Sequence, residues 1–438
     1  MGIWSTASAL ADKTPPERNR YVDFLRAVSI LVVIFGHWLI ATAWYQDGEF
    51  TTGHLLRDQP ETQWLTWLFQ VMPVFFMVGG YSNAVSLESA QRKGQGYANW
   101  LIVRLNRLAV PLLLLMLVWA GIAFVMGLLD VTPPVIQYMS QASLIPTWFL
   151  AIYIMVAILA PLAWRLWQRM GYYSVALLAA LAITVDVAFF AADLRALGWS
   201  NYFWVWLAVH QLGFAWREGR LPGTTGRVML GVAGLSVLYL LITLGPYPLA
   251  MVGSPDEGLS NTLPPKITLI ALGLAQFGFL LALEQPLRRA LDKRGLWTGT
   301  VLVNSMIMTI YLWHITVMIV FGGLLYLAGG IGFHLEPGTA PWWWSRPIWI
   351  FVLTALLVPL ALVLSPLERR GMPKDSSAPA AWRQITGAML LCLGIALLAM
   401  YGFGGGPVPW LDKAAFAAVI AGVLLAGVIE GLVLSRKT

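Results

Sequence analysis

The sequence predicts an all-α, polytopic integral membrane protein with about twelve transmembrane helices and both termini in the cytoplasm. Three observations predict it. Of the 438 residues, 58% are hydrophobic and only 11% are charged, whereas a soluble domain carries about 25% charged residues. The apolar residues fall into runs of about 20, the length a helix needs to cross a bilayer. The Lys and Arg residues segregate between alternate connections, as the positive-inside rule requires. The 22 tryptophans suit rings placed at headgroup level.

The runs follow one another at 22–45, 64–84, 101–128, 147–164, 172–191, 200–217, 228–245, 266–284, 299–328, 346–366, 384–403 and 413–434. The third and ninth are long enough to tilt or kink. Met1 to Arg20 is polar and leads into a full-length span, so the first helix is expected to anchor the chain rather than be cleaved. With the N-terminus inside, all but five of the 28 Lys and Arg residues fall on the cytoplasmic side. The five are Arg57, Arg195, Lys266, Arg346 and Lys413. A wrong helix count would have mixed the two sides. The net charge of +7 is therefore read as membrane orientation and not as nucleic-acid binding.

A single cysteine, Cys392, excludes an intramolecular disulfide. No cluster of Cys and His has metal-ligand spacing, so no metal is expected. The outer connection with Pro341-Trp342-Trp343-Trp344 is read first as part of an aromatic belt. The sharper reading is a stacking platform for a sugar ring.

Ionisable residues inside a span are costly, which makes each a functional candidate. The first helix holds Arg26 and His37, eleven residues apart. That spacing returns them to nearly one face, about 16 Å apart along the axis. They suit two ends of one long ligand. Asp23 is the expected i,i+3 partner of Arg26. The second helix carries Phe75-Phe76 and Gly79-Gly80-Tyr81-Ser82-Asn83, whose glycines permit close backbone approach. Arg104 and Arg107 open the third helix and share a face ahead of Pro111, a pair suited to phosphates. Trp148-Phe149-Leu150 opens the fourth, and Tyr311-Leu312-Trp313-His314 lies in the ninth. By depth alone, Asp186 of the fifth helix is a candidate to orient an imidazole at His37 or His314. His210, His54 and His334 do not stand out.

These motifs, in this order, resemble membrane-bound acyltransferase family 3. Asp23, Leu25, Arg26 and His37 match its first-helix pattern. Phe75-Phe76 to Gly80-Tyr81 is similar to its second-helix segment, with Gly79 in place of a serine. Arg104 and Arg107 resemble its paired arginines, and Trp148-Phe149-Leu150 and Tyr311 to His314 its later segments. The resemblance covers residues 20–366. It implies ten core helices over 21–366, after a cytoplasmic segment 1–20; the chain departs from that core in the two additional helices of 384–438, which follow a linker 367–383. It implies an O-acyltransferase, most simply an acetyltransferase, in a bacterial cytoplasmic membrane. The donor is acetyl-CoA or another acyl-CoA. The acceptor it implies is a sugar hydroxyl of an envelope glycan or glycolipid; a trehalose- or mycolate-type glycolipid is one candidate, to which no residue points. Arg26, Arg104 and Arg107 would hold the donor phosphates. His37, with Asp186 and His314, would carry the chemistry, as general base or through an acyl-histidine. Tyr81, Asn83, Trp148 and Tyr153 would contact substrate, with Tyr81, Ser82 and Asn83 as candidate oxyanion donors. The main rival is a twelve-helix secondary transporter, which shares the layout. No repeat is visible by eye, and 85–100 lacks the Gly-x-x-x-Asp-Arg pattern expected of the largest transporter class. A non-catalytic scaffold would not explain Arg26 and His37 on one face.

Overall fold

A computed structural model describes residues 2–46, 48–253, 258–368, 378–405 and 407–428. In chain order its helices are α1 (Ile3–Asp12), α2 (Arg20–Ile40), α3 (Leu55–Asp58), α4 (Thr66–Phe69), α5 (Met72–Arg92), α6 (Tyr97–Leu128), α7 (Pro133–Leu144), α8 (Thr147–Met170), α9 (Tyr172–Ala191), α10 (Asn201–Arg217), α11 (Thr224–Leu244), α12 (Ile267–Ala282), α13 (Glu284–Ala290), α14 (Arg294–Ser305), α15 (Ile307–Leu327), α16 (Ala340–Glu368), α17 (Ala381–Tyr401) and α18 (Leu411–Leu425). A hairpin of β1 (Ala41–Gln46) and β2 (Glu49–His54) interrupts them. The protein is an all-α polytopic membrane protein, with this one small sheet among the described residues.

Among the described residues, nine helices are long and apolar enough to cross a membrane, and ten if α12 and α13, bent by 54°, count as one span. The expected sixth and twelfth spans correspond to α10, of 17 residues, and α18, of 15. Residues 369–377 of the expected linker and the end of the last span from 429 on lie outside the described residues, and with them Arg369, Arg370, Lys374, Arg436 and Lys437.

Three expectations about boundaries are corrected. The first run ends as a helix at Ile40, and 41–45 is strand. Trp44 and Tyr45 pair with Thr51 and Phe50, and Ala43 pairs with Thr52; Thr and aromatic residues are types that favour paired strands. The two-residue connection contains Gly48 at φ +85°, the left-handed conformation a tight hairpin needs. The ninth run is broken at Met306 into α14 and α15. The second run is helical only in pieces before Met72.

The chain forms two compact units. The first comprises residues 1–86, 160–307 and 332–347. In it α9 packs on α10, α11 on α12, and α14 on both α1 and α2. A close approach joins α5 to α10. A Cβ on Gly80 would lie 1.9 Å from the His210 carbonyl oxygen, and one on Gly213 would lie 2.0 Å from the Met77 carbonyl oxygen. Only glycine fits at either position, and of the paired glycines in the sequence Gly80 serves this contact. Phe76 stacks on Trp206 at 4.4 Å beside it.

The second unit comprises 87–159, 308–331 and 348–438. Here α17 packs on α18, α6 and α7. Gly387 and Gly394 of α17 face Gly422 and Ala415 of α18 with no room for a Cβ.

Candidate active site

In the first unit, the start of α2 is fixed by several partners. The Asn19 side chain accepts hydrogen bonds from the Tyr21 and Val22 amides, capping the helix. Asp23 is buried, and its carboxylate takes Arg18 at 2.5 Å and Arg26 at 3.2 Å. The i,i+3 pairing of Asp23 with Arg26 read from the sequence is present. Arg26 also donates to Ser82 of α5 at 2.9 Å. Asn304 of α14 donates to the Asp23 carbonyl at 2.8 Å, and Tyr21 donates to the Leu280 carbonyl at 2.6 Å. A half-buried guanidinium held by a carboxylate and a hydroxyl has a fixed direction, which suits recognition of an anionic group.

His37 lies in the last turn of α2 and is half-buried. The helix ends one turn later, where the Ala41 amide donates to the His37 carbonyl. Ala41 then pairs with His54 across the hairpin. This register brings His54 to the end of α2, and the two imidazoles interact electrostatically. Burial pushes the His54 imidazole down to about 4 and the nearby Arg57 adds to this, while Asp58 opposes it. The sequence reading passed over His54 because it placed the residue in an outer loop. The signal that would have found it is Asp47-Gly48 between two stretches rich in Thr and aromatic residues, a hairpin pattern.

Other expected residues are placed as follows. Tyr81 is half-buried, and its ring lies 4.8 Å from Trp216. Asn83 is buried, and its amide nitrogen donates to His210 Nε2 at 3.1 Å. That assignment puts the His210 proton on Nδ1, which has no hydrogen-bond partner. The sequence reading missed His210, whose role here is to satisfy Asn83 beside the Gly80–Gly213 contact.

The expected pairing of Asp186 with an imidazole is not found. Its oxygens accept from Asn201 Nδ2 at 2.9 Å, the Tyr247 hydroxyl at 3.1 Å and the Ile267 amide at 2.9 Å. The last bond satisfies an orphan donor in the first turn of α12. Depth along the helix could not show that the connection after α11 folds back to occupy this carboxylate. Lys266, also buried, lies 3.5 Å from the centroid of the Phe189 ring.

In the second unit, His314 is buried and its Nδ1 donates to the Tyr311 carbonyl at 2.6 Å, which leaves the lone pair on Nε2. The Tyr311 hydroxyl donates to the Pro146 carbonyl at 2.7 Å. Phe149 lies 5.8 Å from the Tyr311 ring and 5.7 Å from Tyr153. The segments containing Trp148 and His314 thus meet in one aromatic cluster, with Trp148 and Tyr153 half-buried. Arg104 is half-buried over the Trp100 ring at 5.5 Å, a cation–π contact one turn back, and Arg107 is exposed.

Comparison with known proteins gives one finding. A family model described as an acyltransferase domain matches residues 19–366. No curated protein and no solved structure matches the chain. The matched stretch contains both ends of α2, the α5–α10 contact, the arginines of α6 and the aromatic cluster around Tyr311. It covers most of the chain, so this multi-pass membrane protein is an acyltransferase and belongs to membrane acyltransferase family 3.

Proposed function

We propose that the protein moves an acyl group, acetyl in the simplest case, from cytoplasmic acyl-CoA to a sugar hydroxyl of an envelope glycan or glycolipid. The observation that carries this reading is the unbroken run of α2 from Arg26 to His37 inside the matched domain. One end presents a guanidinium held in place by Asp23 and Ser82. The other presents a half-buried imidazole. The two suit the phosphates and the thioester of an extended donor. Arg104 and Arg107 are further candidates for the donor phosphates.

In the reaction His37 is the general base. An imidazole nitrogen takes the proton of the acceptor hydroxyl while an oxygen lone pair forms the new C–O bond. The C–S bond breaks, and the CoA thiolate takes the proton from the imidazolium. His314 is the alternative base, since its Nδ1 bond to a carbonyl leaves Nε2 in the proton-accepting form. Trp148 and Tyr153 are candidate acceptor contacts, and Tyr81 a candidate donor to the oxyanion. Asn83 and Asp186 act through the groups they hold. A bacterial cytoplasmic membrane, with a trehalose- or mycolate-type glycolipid as acceptor, is the setting this reading favours.

The test is transfer of labelled acetyl from acetyl-CoA into the lipid and glycan fractions of membranes, comparing wild type with His37→Ala at equal insertion. The expected loss is about 10²–10⁴-fold. Equal labelling by both proteins moves the base to His314. No labelling by the wild type, with acetyl-CoA or longer acyl-CoA donors, overturns the reading.

A further inference from the structure

Successive residues of a strand point to opposite faces, and directly paired residues share a face. The hairpin register pairs Ala41 with His54, Ala43 with Thr52 and Tyr45 with Phe50. These six residues therefore form one face. The other face is filled. Thr42 donates to Asp58 at 3.0 Å, and a Cβ on Gly53 would lie within 2.8 Å of Asp58, Thr42 and Trp44.

The face bearing His54 has three zones. At the end nearest α2 stands His54, beside His37. At the far end the Tyr45 ring packs on Phe50 at 5.6 Å and stacks on His334 at 5.2 Å, while Phe50 meets Phe333 at 5.2 Å. The Tyr45 amide donates to the Phe333 carbonyl at 2.8 Å, which fixes that end. Between them lie only Ala43, half-buried, and Thr52, exposed. Small residues flanked by larger ones leave a trough, and the strand from Ala41 to Tyr45 spans about 13 Å. An aromatic edge at one end and hydroxyl and imidazole groups along the floor suit the two kinds of surface on a sugar ring. Apolar C–H faces pack on aromatic rings, and hydroxyls bond to Thr and His. Burial keeps His54 neutral at ordinary pH, so one of its nitrogens accepts a hydrogen bond.

We propose that this hairpin face is the acceptor subsite. A sugar ring lies across Ala43 and Thr52, His54 accepts a hydrogen bond from one ring hydroxyl, and the neighbouring hydroxyl is delivered to His37. This rests on the acyltransfer reading above and gives that reaction its acceptor side. His54 is thus a binding and positioning residue, and the proton of the reacting hydroxyl still goes to His37.

The experiment uses the full chain in lipid nanodiscs, with labelled acetyl-CoA and a chloroform–methanol extract of envelope glycolipids titrated as acceptor. His54→Ala is expected to raise the half-saturating amount of extract about tenfold, the cost of one lost hydrogen bond to a hydroxyl, and to leave half-saturating acetyl-CoA unchanged. His54→Gln, which keeps a hydrogen-bonding group, recovers part of the loss. Thr52→Trp, at an exposed position the fold does not depend on, fills the trough and raises the acceptor requirement in the same way. The inference is overturned if His54→Ala and Thr52→Trp leave the acceptor requirement unchanged while His37→Ala abolishes transfer, and the acyltransfer reading then stands. Should His54→Ala fail to fold, Thr52→Trp alone decides. A wild type that transfers no label to the extract overturns the acyltransfer reading and this inference together.

Discussion

At its N-terminal end α2 is fixed by side chains, and at its C-terminal end by main chain. Asn19, Arg18, Ser82 and Asn304 converge on the first turns, around the buried Asp23. The last turn carries His37 straight into a strand, and the hairpin register sets what stands next to it. Under the proposed function, the difference is how one helix would serve two ligand groups of different character. An anionic group needs a charge in a fixed direction, which a network of charge-assisted bonds supplies. On the same reading, an acceptor needs a shaped surface beside His37, which a short hairpin would supply.

The strongest way to break the comparison is Gly80→Val. The new side chain collides with the His210 carbonyl, and neither helix backbone can give way cheaply. Ser82 and Asn83 move with α5, so the Arg26 end loses its support while the hairpin pairing is untouched. The expected cost is about 3 kcal/mol or more, seen as loss of monodisperse protein after solubilisation. A variant as thermostable as the wild type would show that the α5–α10 contact does not bear on the site.

Arg26→Gln comes next. Removing the charge, with a shorter amide in place of the guanidinium, is expected to raise the half-saturating acetyl-CoA concentration about 10- to 100-fold, the worth of a hydrogen bond to a charged group. The acceptor requirement should not move. A change in the acceptor requirement instead would erase the division of labour between the two ends.

Ser82→Ala removes one partner of the same guanidinium and leaves Asp23 in place. About 1 kcal/mol is at stake, a fivefold rise in half-saturating acetyl-CoA. No change would mean that Asp23 alone orients Arg26.

The smallest effect concerns pH at the hairpin. His54 is held down to about 4 in the folded protein, against 6.5 when unperturbed. Between those values the unfolded chain binds a proton that the folded chain refuses. Folding stability is therefore full above pH 6.5 and falls as pH drops toward 4. Asp58, Arg57 and His37 are the titratable or charged groups acting near it. In His54→Gln the drop in thermal inactivation temperature over that interval should shrink. A drop identical to that of the wild type would assign the acid sensitivity elsewhere.

The sequence by itself determined the membrane class, the approximate positions of the spans and the pairing of Asp23 with Arg26. Those follow from local quantities, namely apolar run length and residues three apart on a helix. It also determined the family resemblance, through residues on separate helices in a given order. Only the tertiary structure decided what each candidate touches. Asp186 was read by depth as a partner for an imidazole, but the chain after α11 returns to claim its oxygens. Asn83 was read as a substrate contact and holds His210. His54 was set aside as a loop residue, yet it stands beside His37. In each case the deciding contact joins residues far apart along the chain or set by strand register, and hydropathy along one helix carries no information about either.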